Sequence, residues 1–345
     1  MYQIPLVDLR GRSPVQLLET HADKARALLE ATRDTFGVAS RVASYAAFPF
    51  GDFLSRRWLR QTKNSYLPEI EKAAEIVGCS GVMALNLCYE WGCTSGAYQK
   101  GTDVILARVL DWAFPALDQN VVIALQSGPA GEFYNVTWPG MVGVITGMAP
   151  QRFAVALNQA PMRRHRLCFA LDWTINRFLM MKQTGLPPMH LLRQVFETSE
   201  NYAAAKEALA TTPVALPVVY TLTGIKEGEG CVIERTENDA VIHELCEGRV
   251  CAANHFESRF NDIGFGWRPR PVDSAGRLKL ARSVPLDKIN PEFGWLAAPI
   301  LNANSRLAVW ADAAHGSLSA AGIYGSQMTT SIFKLEAEGN TPCLT

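Results

Sequence analysis

Apolar residues recur at two different periods along this chain, and the period changes near position 93. Before that point the spacing is helical. Ser13, Pro14 and Gln16 supply a cap, a first-position proline and the return arm of a capping box. Leu18, Ala22, Ala25 and Leu29 follow at helical spacing, with Leu17 and Leu28 widening the apolar face. Further helical patterns cover residues 52–61 and 67–77, and the nearly all-apolar run 80–89 predicts another short helix. From Cys93 onward the runs are short, β-branched or aromatic, and broken by Gly, Pro or Asp. They predict strands at 103–112, 120–127, 132–138, 141–147 and 152–158. Helical patterns at 168–183, 189–198 and 202–211 interrupt them. Strands return at 217–223, 230–235, 240–245 and 249–253, then a helix at 273–282, then strands at 306–312, 317–323 and 330–335.

Strands in runs, separated by blocks of helix, predict an α+β chain with antiparallel sheets and segregated helices, not alternating βαβ units. Neither G-x-G-x-x-G nor G-x-x-x-x-G-K-S/T occurs, so no nucleotide phosphate cradle is expected. The chain has 345 residues, 48% of them apolar, enough for one large domain or two with no need of disulfides. Its 33 basic and 33 acidic residues cancel, which argues against nucleic acid or an anionic membrane as the main partner. Eight cysteines occur without any C-x-x-C, and six histidines without H-x-x-x-H or H-E-x-x-H, so neither a zinc site nor any other cofactor is expected. The first residues lack an apolar signal core and no run is long enough to cross a bilayer, which together read as a cytoplasmic protein with reduced thiols.

The candidate chemistry centres on W-G-C-T-S-G, residues 91–96. Cys93 stands at the change of period, after a glycine that leaves the preceding carbonyl open. Downstream, Arg108 and Asp111 interrupt an apolar strand, where charges are rare unless paired or used. A lone cysteine is more often a small buried hydrophobe, and Arg108 with Asp111 could be a structural ion pair. A catalytic thiol needs a nearby base or cation. No histidine sits in the local pattern, and His255 reads as hydrogen-bonded structure. A self-supplied base exists if the Gly92–Cys93 bond is cut: the new α-amine has an unperturbed pKa of about 7.7–8.0. Arg108 and Asp111 are three apart, so a regular strand points them to opposite faces, and a bend or strand end near Leu110 is needed for both to reach one site.

At these residues the sequence resembles the cysteine-type N-terminal nucleophile (Ntn) hydrolases. The matching blocks are NLCYEWGCTSG, ILARVLDWAF, TWPGMVGVITGMAPQRFAVALNQ, AANHF and PILNANSRLAVW, in order along most of the chain. NLCYE resembles the ceramidase and acylethanolamine amidase branch. ANHF is closer to the neighbouring acyl-coenzyme A:6-aminopenicillanate acyltransferase branch. The resemblance implies an αββα sandwich, two antiparallel sheets between helical layers, with Cys93 at the start of a central strand. It implies that Cys93 is both the self-cleaving and the catalytic nucleophile, that Asp111 orients the new ammonium group, and that Arg108 favours thiolate. Asn158 matches an oxyanion-side position, and Asn254 the asparagine whose amide donates to the oxyanion. A later family arginine falls at Arg277, with Arg268 as the alternative.

On this reading residues 1–92 form a mainly helical pro-segment that stays packed after cleavage, and residues 93–345 form the catalytic unit. The expected reaction is hydrolysis of a linear amide through an acyl-thioester, on a small N-acyl substrate with an apolar acyl group. An acyltransferase on the same scaffold, or an unprocessed binding relative, are the alternatives. A homo-oligomer is compatible with the sequence.

Overall fold

The computed structural model describes residues 1–34, 37–87, 92–113, 115–165, 167–261 and 273–335. In chain order the elements begin with strand β1 (Leu6–Asp8) and helices α1 (Leu17–Asp34), α2 (Gly37–Gln61), α3 (Leu67–Val77) and α4 (Val82–Asn86). Then come β2 (Gly92–Lys100), β3 (Asp103–Asp111), α5 (Leu117–Asn120), β4 (Val122–Gly128), β5 (Gly131–Thr137), β6 (Thr146–Ala149) and β7 (Phe153–Gln159). Helices α6 (Phe169–Met181), α7 (Pro188–Thr198) and α8 (Tyr202–Thr211) follow. Strands β8 (Val218–Thr223), β9 (Gly230–Arg235), β10 (Ala240–Glu244) and β11 (Arg249–Ala252) precede α9 (Ser274–Ser283). Strands β12 (Ser305–Asp312), β13 (Ser317–Tyr324), β14 (Gln327–Met328) and β15 (Phe333–Leu335) end the described chain.

One sheet runs β1-β4-β5-β6-β7-β8-β9-β10, and the other β11-β2-β3-β12-β13-β14, with β15 beside β13. β2 and β3 face β7 and β8 across the interface between sheets. Helices α7 and α8 cover the first sheet, and α9 lies on β2 and β11 of the second. This is the αββα arrangement. The main core, which includes Leu106, Leu110, Val155 and Leu157, fills the space between the sheets. A second core, with Ala107, Val109, Leu278 and Ala281, fills the space under α9. Strand β3 feeds both, alternating sides as the pleat requires.

Local chemistry explains most element ends. Ser13 accepts the Val15 N–H at 3.3 Å, opening a short 3-10 turn that leads into α1. α3 buries Leu67, Ile70, Ala73 and Val77 along one stripe and ends at Gly78, whose φ of 72° only glycine adopts freely. Asn201 caps α8 through the Ala204 N–H at 3.0 Å, and Asp273 caps α9 through the Gly276 N–H at 2.8 Å.

The structure departs from the sequence pattern in several places, among them β2, α5 and β14, which no apolar period announced. Strand β1 pairs in parallel with β4, Leu6 opposite Ile123, and three residues are too few to show an alternation. Helix α2 begins at Gly37 and continues through Pro49, although a proline within a run normally ends a helix. Residues 141–145 are not a strand: the Asn86 side chain donates to Gly140 O at 2.7 Å and accepts the Val142 N–H at 2.8 Å, satisfying that backbone without a ladder. The last strand starts at Phe333, not at residue 330. Among the described residues, no helix is long and apolar enough to cross a membrane.

Candidate active site around Cys93

Strand β2 opens at Gly92, between β11 and β3, in register with Gly92 opposite Asp111, Cys93 opposite Leu110 and Ser95 opposite Arg108. A side chain at 92 would bring its first carbon to 3.0 Å from Asp111 Cβ. Glycine is what lets the carboxylate lie against the backbone there. Cys93 is fully buried.

Three of the sequence-predicted residues touch Cys93 directly. Arg108 Nη2 lies 3.2 Å from Sγ, and the same guanidinium donates to Leu157 O at 3.2 Å and to the Thr146 hydroxyl. Asn254 Oδ1 accepts the Cys93 N–H at 2.8 Å. Arg277 donates to the Cys93 carbonyl oxygen, to Thr94 Oγ1 at 2.9 Å and to Asn254 Oδ1 at 2.8 Å. Because Asn254 Oδ1 faces two donors, the orientation of that amide is fixed by its partners.

Asp111 lies beside Arg277, which is 3.7 Å from its Oδ2, and its charge adds to the upward push on the Cys93 thiol. It accepts from Ser305 Oγ at 2.8 Å and Asn302 Nδ2 at 3.0 Å. Asn158 stands on β7 and donates to Ser95 Oγ at 2.8 Å and to the carbonyls of Ala253 and Ala252 at 3.2 and 3.3 Å, tying the two sheets together. Arg268 lies outside the described residues, as do Cys88 to Trp91 of the block before Cys93.

The bend required for Arg108 and Asp111 to share a face is not there. β3 keeps register with β2 as far as Gly92 opposite Asp111. The irregularity falls on its other neighbour, where Arg306 of β12 is an extra residue between the pairs Ser305–Asp111 and Leu307–Leu110. Arg108 therefore meets the sulfur from the side between the sheets, while Asp111 and Arg277 meet the backbone of residues 92–94 from the α9 side. Cys93 is held on both faces of one strand.

Burial dominates the electrostatics. It pushes the Cys93 thiol up, more than the Arg108 guanidinium pulls it down. It also pushes the Asp111 carboxyl up, against Arg277 and the bonds from Asn302 and Ser305. Arg277 is pushed down by the same desolvation, which Asp111 only partly offsets. His255 bonds Ser274 Oγ at 2.7 Å, and that hydroxyl accepts the Asn254 N–H at 2.9 Å, so this histidine supports the site's backbone.

Sequence reasoning did not single out Thr146, Thr94, Ser274, Asn302 or Ser305. Each is a short polar side chain whose significance depends on which charged group the fold sets beside it. The signal available for four of them was their position in the quoted blocks: Thr94 in GCTSG, Thr146 in VITGMAP, and Asn302 and Ser305 in PILNANSRLAVW.

Comparisons with known proteins find several likenesses. Residues 93–261 match the family model for linear amide C–N hydrolases, choloylglycine hydrolase family. The chain is 32% identical over 114 residues to acid ceramidase of Heterocephalus glaber, covering 33% of this chain and 28% of that protein. It is 30% identical over 184 residues to the N-acylethanolamine-hydrolyzing acid amidase of Cavia porcellus, covering 50% of this chain and 49% of that one. The chain thus spans less than half the length of these curated relatives. A structure of the Caenorhabditis elegans N-acylethanolamine-hydrolyzing acid amidase ortholog superposes with a TM-score of 0.51 at 18% identity, over 64% of this chain and 93% of that one. Residues 93–261 thus resemble the choloylglycine hydrolase family and the fold resembles that of an N-acylethanolamine amidase, likenesses that together support the N-terminal nucleophile hydrolase superfamily.

Proposed function

We propose that the protein is an amidase that cuts its own chain before Cys93 and then hydrolyses linear N-acyl amides through a thioester on that residue. The observation that carries this reading is the enclosure of Cys93: a guanidinium on its sulfur, an amide oxygen on its N–H, and a second guanidinium on its carbonyl. A buried backbone N–H and C=O need partners in any residue, but a structural cysteine has no use for a guanidinium on its sulfur.

In the first step the sulfur bonds to the Gly92 carbonyl carbon, the Gly92–Cys93 C–N bond breaks, and the thiol proton passes to the departing nitrogen. Water then hydrolyses the thioester, giving the Gly92 carboxylate and a free Cys93 amine. Before the cut, burial keeps the thiol protonated. After it, an amine with an ordinary pKa of about 7.7–8.0 stands beside the thiol and takes its proton. The thiolate attacks the substrate carbonyl, the amide C–N bond breaks with protonation of the leaving amine, and water releases the acid. Arg108 holds the sulfur. Arg277 holds the Cys93 carbonyl, and Asp111 lies against Gly92 and beside Arg277. Asn254 Nδ2 donates to Gln159 O at 2.9 Å, so service to an oxyanion requires it to exchange that partner.

Residues 1–92 stay in place on this reading. β1 is part of the larger sheet, and α2 and α3 are fastened to the body by Trp58 Nε1 on Gln183 O at 3.1 Å and by Arg193 on both oxygens of Glu69 at 2.6 and 3.0 Å.

Intact mass tests the reading. The wild-type chain gives two fragments meeting at residues 92 and 93, Cys93→Ala stays whole and inactive, and incubation with mixed N-acyl compounds adds an acyl mass to the fragment starting at Cys93. A cut and active Cys93→Ala protein would end the proposal.

A further inference from the structure

Strand β11 ends at Ala252, and residues 253–258 after it belong to neither helix nor strand. Asn254 lies in this segment. It accepts the Cys93 N–H at 2.8 Å and a bond from Arg277 at 2.8 Å, and donates to Gln159 O at 2.9 Å. With no ladder to join, the segment's own N–H groups need partners from elsewhere. Ser274 of α9 meets the Asn254 N–H at 2.9 Å. Glu234 of β9 meets the other end. Its Oε1 accepts the Glu257 N–H at 2.8 Å and its Oε2 the Ser258 N–H at 3.1 Å.

Glu234 is 2% exposed. It pairs with Val219 on β8 and Val241 on β10, and so shares a face with them and with Val232. Val219 and Val232 belong to a small apolar cluster with Phe256 and Phe260, whose rings lie 5.4 Å apart. A carboxylate among such side chains is costly unless both oxygens are bonded. Pairing of the strands alone would be served by another valine. His243, diagonal to Glu234 on β10, brings Nε2 to 3.4 Å from Oε1. Burial alone would raise this carboxyl, but His243 and the bonds from Glu257 and Ser258 more than reverse that, and it ends lowered. Arg282 of α9 also grips the segment, through the Glu257 side chain, but that pair is open to solvent and contributes little.

We propose that Glu234 is a positioning residue for Asn254. By fixing the N–H groups of Glu257 and Ser258, it sets where the segment presents the Asn254 amide to Cys93. The carboxylate touches no reacting atom and acts through the backbone of residues 254–258. This inference rests on the amidase reading above.

A double-mutant cycle on an N-acyl aminomethylcoumarin provides the test, with every variant first shown by mass to be cut at residue 92. Glu234→Gln keeps the shape of the side chain but turns an amide NH2 toward one of the two N–H groups. Its kcat falls by up to about a hundredfold with KM little changed, the scale of a misplacement of about 1 Å. In the Asn254→Asp background, where the amide donor is already gone, the same change lowers kcat less than about twofold, because the two residues act as one. Equal losses in both backgrounds, or an unchanged kcat in Glu234→Gln, overturn the inference and leave the amidase reading standing. If Glu234→Gln is not recovered folded, Glu234→Asp, which keeps the charge and shortens the arm, enters the same cycle with the same two outcomes. A wild-type chain that never acylates Cys93 sinks the amidase reading and this inference with it.

Discussion

Two polar clusters lie in the interior, and they handle charge in opposite ways. Between α3 and α7, Arg193 donates to Glu69, to Glu197 and to the carbonyl of Val142. Burial alone would lower its pKa, but the two carboxylates more than reverse that, and it ends raised. Around Cys93, Arg277 has one carboxylate at 3.7 Å and burial prevails, while Asp111 and the thiol are both pushed toward their neutral forms. The first cluster is a closed set of ion pairs with carboxylates that still reach solvent. The second offsets its charge only in part, around Cys93. Buried charge alone therefore does not mark a site; partly offset buried charge converging on one sulfur does.

Breaking the second cluster should have the largest effect. Arg277→Leu leaves Asp111 buried without its cation and frees the Cys93 carbonyl. It should stay uncut and lose about 3–5 kcal/mol of stability, read by fragment mass and denaturant unfolding. A cut Arg277→Leu chain of normal stability would show that this guanidinium is dispensable.

Asn254→Asp separates holding from donating. It keeps an oxygen for the Cys93 N–H and Arg277 but removes the amide donor. Processing should survive while kcat falls by about 10²–10³, the range for one oxyanion donor, or about 2.7–4 kcal/mol. Equal loss of both would mean that Asn254 serves only to hold.

In the first cluster, Arg193→Ala should cost about 1–3 kcal/mol, discounted for the partial exposure of Glu69 and Glu197, and should leave the cut intact. Failure to process would tie the two clusters together after all.

The smallest expected effect concerns His190, which is fully buried, bonded to Asn64 at 3.0 Å and packed on Tyr66. Burial, and then Arg193, lower its pKa to about 3. The unfolded chain binds this proton first. Stability is therefore complete above the ordinary histidine pKa of about 6.5 and declines as pH falls toward 3, by about 1.4 kcal/mol per pH unit. Thermal unfolding of His190→Gln between pH 6.5 and 5 should show a flatter acid slope than wild type. Identical slopes would assign acid sensitivity elsewhere.

Much of this was legible in the sequence, for reasons that differ by element. The spans 67–77, 202–211 and 230–235 coincide with α3, α8 and β9, because stripe or alternation, caps and breakers all point the same way there. The long α2 was read only from residue 52, since Pro49 lies inside it and its tertiary setting overrides that local signal. The triplet Leu6–Asp8 gave no period to read. For the candidate site, the residue types near Cys93 could be named, and Arg108, Asn254 and Arg277 do come into contact with it. The opposite-face approach of Arg108 and Asp111 was foreseen as a difficulty. What the sequence could not supply was its resolution, because that depends on α9 lying over β2 and on where a bulge falls in β12.

The parallel pairing of β1 with β4 has a consequence for recovery after denaturation. A newly made chain brings β1 to its place by an intramolecular search. If the backbone is cut before Cys93 as proposed, the same docking becomes an encounter between separate molecules. Renaturation of the matured protein would then depend on dilution, and a solitary larger fragment would present the edge of β4 to its neighbours as an invitation to aggregate.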